Sequence, residues 1–269
     1  MQYDPIKKSL GKLFNKTPFL RILFYKLLDT LFLRTWHVKK EIREWGKNRK
    51  GKQRILDAGS GFGQYTFFMS GMNKKWTVEA VDVKEEQIAD CNAFFTRIGR
   101  NNVVFGIADL TTYNRPETFD MILSVDVMEH IEDDEQVFRN FCNALTWEGM
   151  LLISTPSDQG GSDVHDHGEE ASFIDEHVRD GYNIEEIQEK LKRAGFTKTS
   201  ARYVYGKSGQ IGWRLSMKYP ILMLNASKLF FILLPFYYIL TFPFVLIFNW
   251  MDITMKHKTG TGLIVKAFK

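Results

Sequence analysis

Cysteine is nearly absent: Cys91 and Cys142 are the only two in 269 residues. Both fall in stretches that read as helix and no C-x-x-C pair exists, which excludes a disulfide framework and points to a reducing compartment. No signal peptide is expected either, because Lys7, Lys8, Lys12 and Lys16 lead into a segment interrupted by Arg21 and Lys26 rather than into an apolar run with a cleavage site. The catalytic body is therefore expected on the cytoplasmic side. There is no internal repeat and no low-complexity tract. Acidic residues are scarce at one end: residues 1–54 carry about fifteen Lys/Arg against about four Asp/Glu, while the whole chain has a net charge of only +4. That arm calls for an anionic partner, either nucleic acid or an anionic membrane surface.

What is present suffices for one large α/β core, since 44% of the residues are hydrophobic. From Pro18 to Trp45, apolar residues such as Phe19, Leu23, Leu27 and Leu31 recur at helical spacing with cations between them, giving one basic amphipathic helix or two. Residues 1–50 are expected to form this arm. Gly46 to Gln53 reads as a linker. Short apolar runs then alternate with helical patterns, which predicts parallel β-α-β units. The expected strands are Arg54–Ala58, Thr77–Val83, Val103–Ala108, Asp120–Val127, Met150–Thr155, Thr197–Tyr205 and Thr261–Phe268. The catalytic domain is thus expected over residues 51–205 and 259–269, interrupted by an insertion at 206–258. Ser157 to Gly181 is polar and glycine-containing, as an active-site loop would be.

Asp57-Ala58-Gly59-Ser60-Gly61-Phe62-Gly63 joins an apolar strand to a helix. Glycine there permits a sharp bend and close approach of a ligand. The dinucleotide fingerprint G-x-G-x-x-G is not met, because Gln64 stands where its third glycine belongs. A carboxylate beside the loop would also repel a pyrophosphate, whereas it suits an ammonium and a sulfonium.

This segment resembles the first motif of class I S-adenosylmethionine-dependent methyltransferases, D/E-x-G-x-G-x-G. The resemblance continues from Arg54 to Pro156. Asp82, ending Val78-Glu79-Ala80-Val81-Asp82, matches the family acid that takes the ribose hydroxyls, with Val83 beside it. Asp109 and Leu110 match the adenine end, and Phe119-Asp120-Met121-Ile122-Leu123-Ser124 resembles the fourth motif. The resemblance implies a doubly wound, mostly parallel seven-stranded sheet with an antiparallel last strand. It implies S-adenosylmethionine as methyl donor, held by Asp57, Gly59, Gly61, Gly63, Asp82, Val83, Asp109, Leu110 and Ser124.

Asp126-x-x-Glu129-His130 further resembles the polyprenyl-catechol and quinone O-methyltransferases, in which such a cluster holds a divalent cation. Asp126, Glu129 and His130 are then candidate Mg²⁺ ligands, and Glu129, His130 and His177 candidate bases. His165, Asp166 and His167 are expected to be a solvated turn. His37 and His257, without a partner pattern, are expected at the surface.

Leu229 to Phe248 is a run of about twenty uncharged residues, rich in Phe and Tyr. A single crossing would separate the last strand from its sheet, so Pro235 and Pro243 are expected to break the run into a re-entrant or in-plane hairpin. With the basic helix at 18–45, it predicts peripheral membrane contact on the inner face and a lipophilic acceptor, a quinone precursor or lipid-linked molecule. Nucleic acid is not expected as substrate, because the Asn/Asp-Pro-Pro-Tyr/Phe and Pro-Cys motifs of DNA-modifying enzymes are missing. Three other readings stay open: a soluble enzyme using these segments as a lid or dimer interface, a non-catalytic binding protein, and an NAD-dependent oxidoreductase.

Overall fold

The computed structural model describes residues 17–160, 178–227 and 229–269. Two helices come first, α1 (Pro18–Leu31) and α2 (Leu33–Gly46). There follow β1 (Gln53–Ala58), α3 (Gln64–Met72), β2 (Trp76–Asp82), α4 (Glu85–Arg97), β3 (Val103–Ile107) and β4 (Phe119–Val125). Next come α5 (Asp134–Ala144), β5 (Leu145–Pro156), α6 (Ile184–Arg193) and β6 (Lys198–Val204). A helical insertion made of α7 (Lys207–Trp213), a π-helical turn (Arg214–Lys218), α8 (Tyr219–Ala226) and α9 (Phe230–Thr254) precedes β7 (Gly262–Phe268).

The seven strands form one sheet in the order β3-β2-β1-β4-β5-β7-β6. Every pair from β3 through β5 is parallel, and β7 runs antiparallel to both β5 and β6. The expected fold is the observed one. Central strands are covered on both faces, which is why Ile55 and Leu56, or Leu151 and Leu152, are all fully buried and read as unbroken apolar runs. One face packs Leu56, Ile122, Leu151 and Val265 against Phe138 and Phe141 of α5 and Ile187 and Leu191 of α6.

On the other face, Ile55, Met121, Leu152 and Ile264 meet Val38 and Ile42 of α2. The basic arm is thus two helices, and the second is part of the core. Thr17 caps α1 through the Leu20 N–H at 3.3 Å with Pro18 in the first turn, and Phe32 in extended conformation separates the two helices.

The prolines of the apolar run do not break it. Each removes one backbone hydrogen bond, but the turns on either side persist and α9 continues unbroken through Pro235 and Pro243. The hairpin turns instead at Ser227, which is extended and whose side chain accepts from the Leu229 N–H at 3.2 Å.

Candidate active site

The sheet order reverses between β1 and β4, so the loops at their carboxyl ends diverge and open a crevice. The glycine loop enters it from β1, Asp82 and Val83 from β2, and Ser124 and Asp126 from β4.

Two glycines do different work in the loop. Gly59 has φ +79°, and a Cβ there would stand 2.2 Å from Val127, so the loop must pass bare against the β4 end. Gly61, φ +50°, meets only Gln87 at 4.0 Å and leaves its surface open. Gly63 then starts α3 as its N-cap. The loop is held from β2: the Gly59 and Ser60 N–H groups donate to Val81 O at 2.9 Å, and Gly61 N–H donates to Asp82 Oδ2 at 2.9 Å. Asp82 also accepts from Lys84 N–H at 2.9 Å. The Ser60 and Ser124 hydroxyls, both buried, have no partner among the described residues. Open space at Gly61 flanked by two unmet hydroxyls suits a bound polar ligand.

At the ends of β2 and β3, Val83 is 60% exposed and Leu110 is buried, offering an apolar surface beside Asp109. Asp109 is exposed, accepts from the Thr111 N–H and hydroxyl at 2.9 and 2.7 Å, and is held below the usual carboxylate range by those bonds. Asp57 is the opposite case. It is 2% exposed, accepts from the Thr66 hydroxyl at 2.5 Å in the first turn of α3, and burial pushes its pKa up to about 6.

On the β4 side, Asp126 sits at φ +50°, a conformation strained for any residue but glycine, with its N–H on Ser154 O at 2.9 Å. Its carboxylate pairs with Arg34 of α2. Glu129 is 1% exposed, accepts from the Thr155 hydroxyl at 3.2 Å, and has its pKa raised by burial. His130 is exposed. The cation site expected from Asp126, Glu129 and His130 does not assemble: Asp126 is neutralised by Arg34, Glu129 lies buried against Thr155, and no three potential ligands converge among the described residues. His177, like His165, Asp166 and His167, lies outside the described residues.

Several residues near the crevice were not anticipated. Tyr25 of α1 donates its hydroxyl to Phe62 O in the glycine loop, and Arg21 donates to the same oxygen at 2.9 Å while lying 4.6 Å over the Phe94 ring. Gln64 at the start of α3 donates to Asp29 Oδ1 at 2.7 Å. Helix α1 therefore lies on the loop with its polar side inward, leaving Phe19, Leu23 and Leu27 exposed. The signal was Arg21 and Tyr25 themselves, four residues apart on one helix face.

The two histidines expected at the surface are placed otherwise. His37 is fully buried and meets Asp252 Oδ1 at 2.8 Å, and half-buried His257 approaches Oδ2 of the same residue at 3.3 Å. Asp252 also accepts from the Tyr205 and Gly209 N–H groups at 3.1 and 2.9 Å and from the Ser208 hydroxyl at 3.2 Å. One buried carboxylate thus joins arm, sheet and insertion.

A family model described as a methyltransferase domain matches residues 49–204. Among characterised proteins, the chain is 35% identical over 149 residues to a phosphoethanolamine N-methyltransferase of Triticum aestivum, covering 55% of this chain and 28% of that protein. It is 33% identical over 112 residues to a malonyl-[acyl-carrier protein] O-methyltransferase of Bacillus anthracis, covering 42% and 40%. The match therefore spans less than half the length of these relatives. Among solved structures, Haemonchus contortus phosphoethanolamine N-methyltransferase 2 with S-adenosyl-L-methionine aligns over 100% of this chain and 60% of that one, with TM-score 0.61 and 18% identity. An S-adenosylmethionine-dependent methyltransferase from Mesorhizobium loti aligns over 88% and 98%, with TM-score 0.56 and 17% identity.

Proposed function

We propose that this chain, which belongs to the methyltransferase-domain family, uses S-adenosylmethionine as its methyl donor and methylates an oxygen of a lipophilic small molecule taken from the surface of a membrane. The observation that carries the acceptor class is α9. It is 25 residues long, almost wholly apolar and largely exposed, yet Asp252 near its end is fastened into the catalytic sheet.

The donor supplies an electrophilic methyl group. Asp82, already ordering Gly61 and Lys84, takes the ribose hydroxyls, while Val83, Asp109 and Leu110 receive the base. Asp57 faces the ammonium and sulfonium charges, and the bare surface of Gly61 admits the methionine end. Ser60 and Ser124 supply the hydroxyls left unmet by the protein. Arg21 and Tyr25 hold the loop from above and act as positioning residues.

Glu129 accepts the proton of the acceptor hydroxyl, a role favoured by a carboxyl whose burial raises its basicity. His130 and His177 are the further base candidates. The Arg34–Asp126 pair lines the acceptor side, and no step here uses a metal. The body lies on the cytoplasmic face, in keeping with two unpaired cysteines.

The test uses full-length protein, S-adenosylmethionine labelled in the methyl group, and a total lipid extract. Label should enter the organic phase as an alkali-stable methyl ether of a lipophilic product. Label confined to water-soluble products would sink the lipophilic reading while leaving methyl transfer intact.

A further inference from the structure

We propose that α7, α8 and α9 form a hairpin lying in the plane of an anionic bilayer, seated in one leaflet, with α9 toward the acyl chains and the α7–α8 arm toward the headgroups. This gives a geometry to the membrane-surface reading above, on which it rests.

Helix α9 has the length and hydropathy of a membrane span, 2.2 on average, yet only 6% of that window is buried. Ile232, Phe236, Ile239, Leu240, Phe244 and Ile247 are each more than half exposed. At roughly 100 Å² apiece they already match the largest apolar patch of an ordinary soluble protein, before the rest of α9 is added.

The hairpin is two-sided. Val245, Asn249 and Asp252 form the buried stripe of α9, and Gly209, Gly212 and Ser216 the buried stripe of the other arm. The approach is close: a Cβ on Gly212 would stand 2.7 Å from Asn249 Oδ1, and one on Gly209 the same distance from Asp252 Oδ2. Lys207, Arg214 and Lys218, spaced by seven and four, fall on the face of the arm opposite that stripe. Residues 207–258 hold six Lys/Arg and a single acid, Asp252, so the surface complements anionic headgroups.

The backbone is also completed for an apolar medium. Pro220 has no N–H to offer the carbonyls four and five residues back, those of Ser216 and Leu215. The Tyr238 hydroxyl donates to Ser216 O at 2.8 Å and the Tyr237 hydroxyl to Leu215 O at 2.7 Å. Water would have served at an ordinary surface; lipid cannot. A crossing hairpin is disfavoured, because Lys218 and Arg214 lie roughly 14 to 20 Å from the turn at 1.5 Å per residue, which would sink them near mid-bilayer.

The test is flotation of the full-length protein with vesicles of phosphatidylcholine alone or mixed with phosphatidylglycerol, followed by labelling at single introduced cysteines. Cys91 and Cys142 are buried and stay silent. Binding should favour the anionic vesicles, and the K207Q/R214Q/K218Q variant, checked for retained S-adenosylhomocysteine binding, should lose roughly a hundredfold in partitioning to them. A fluorophore at Ile239→Cys should be quenched by mid-chain brominated lipid, and Ser227→Cys should react only with an impermeant thiol reagent added outside. Reaction of Ser227→Cys only with reagent sealed inside, or an unquenched Ile239 label on vesicle-bound protein, overturns the in-plane geometry and leaves the membrane reading standing. Failure to float, with a concentration-dependent dimer that shields Ile239→Cys, overturns both and assigns the face to a second copy of the chain.

Discussion

Asp57 offers a quantitative check on the electrostatics of the glycine loop, through the variant Asp57→Asn. The wild-type carboxyl has a pKa of about 6 in the folded chain, against about 3.9 for an ordinary aspartate. A raised pKa means that protonation favours the folded state. The associated stability is present in full below about pH 4 and is lost as pH rises through 6. Linkage with these two values makes the contribution at pH 5 about 1.4 kcal/mol larger than at pH 8. Asparagine cannot titrate, so the variant should gain about 1.4 kcal/mol on the wild type between pH 5 and pH 8. For a chain of this size that is about 3 to 5 °C in relative Tm. The absolute offset depends on how well the amide replaces the carboxylate against Thr66, but the pH dependence does not. Thermal melts of both ligand-free proteins at pH 5 and pH 8 measure it. Calorimetry with S-adenosylhomocysteine supplies the functional half: the variant should bind about tenfold or more weakly at pH 8, with a smaller deficit at pH 5, where the wild-type carboxyl is itself mostly protonated. A Tm difference that is the same at both pH values would refute the reasoning.

Three other substitutions probe separate parts of the molecule. Asp82→Ala removes the acceptor of two loop N–H groups; S-adenosylhomocysteine affinity should fall about a hundredfold or more by calorimetry, and an unchanged affinity would take Asp82 out of the cofactor site. Glu129→Gln should lower kcat by about two to four orders of magnitude. Because burial raises the Glu129 pKa, wild-type activity should fall as pH drops through that raised value, and the variant's pH–rate profile should lack this limb; an identical profile would exclude Glu129 as the base. Asp252→Ala strands the Tyr205 and Gly209 N–H groups, the Ser208 hydroxyl and His37. It should cost about 3 to 5 kcal/mol and about 10 °C in Tm, with the insertion cut by limited proteolysis before the sheet; uniform resistance would show that Asp252 does not anchor it.

The sheet was legible because its information is local. Ile55-Leu56 and Leu151-Leu152 announce strands covered on both faces, and the acids Asp57, Asp82 and Asp109 stand at strand ends, where the topology leaves only the crevice. Periodicity could not say which side of a helix faces inward. In α1 the repeat of Phe19, Leu23 and Leu27 was visible, and burial of that face would be the ordinary outcome. The chain instead buries Arg21 and Tyr25, because the loop beneath offers Phe62 O, a carbonyl that needs donors. The prolines misled for a related reason. A proline removes one hydrogen bond wherever it sits, but whether the helix ends there depends on what the adjoining turns pack against, and α9 is braced along its length by the other arm.

The same limit explains the metal expectation and the misplaced histidines. Asp126-x-x-Glu129-His130 looks like a ligand set when only its own neighbourhood is read, since a carboxylate drawn partly out of water is stabilised by a cation close by. That cation comes from Arg34, almost a hundred residues earlier in the chain. His37 and Asp252 are 215 residues apart and meet at 2.8 Å for an equivalent reason: burying either group alone would be costly, and burying both against each other is not. Two pairings therefore tie the arm in place, the Arg34–Asp126 ion pair to the acceptor side of the crevice and the buried hydrogen bond between His37 and Asp252 to the base of the apolar hairpin. Both lie on α2, whose opposite turns also fill the sheet face through Val38 and Ile42. A load on the hairpin thus reaches the acceptor side through a single turn of one helix, from His37 to Arg34. Arg34→Ala should for that reason alter acceptor KM while leaving S-adenosylhomocysteine affinity unchanged.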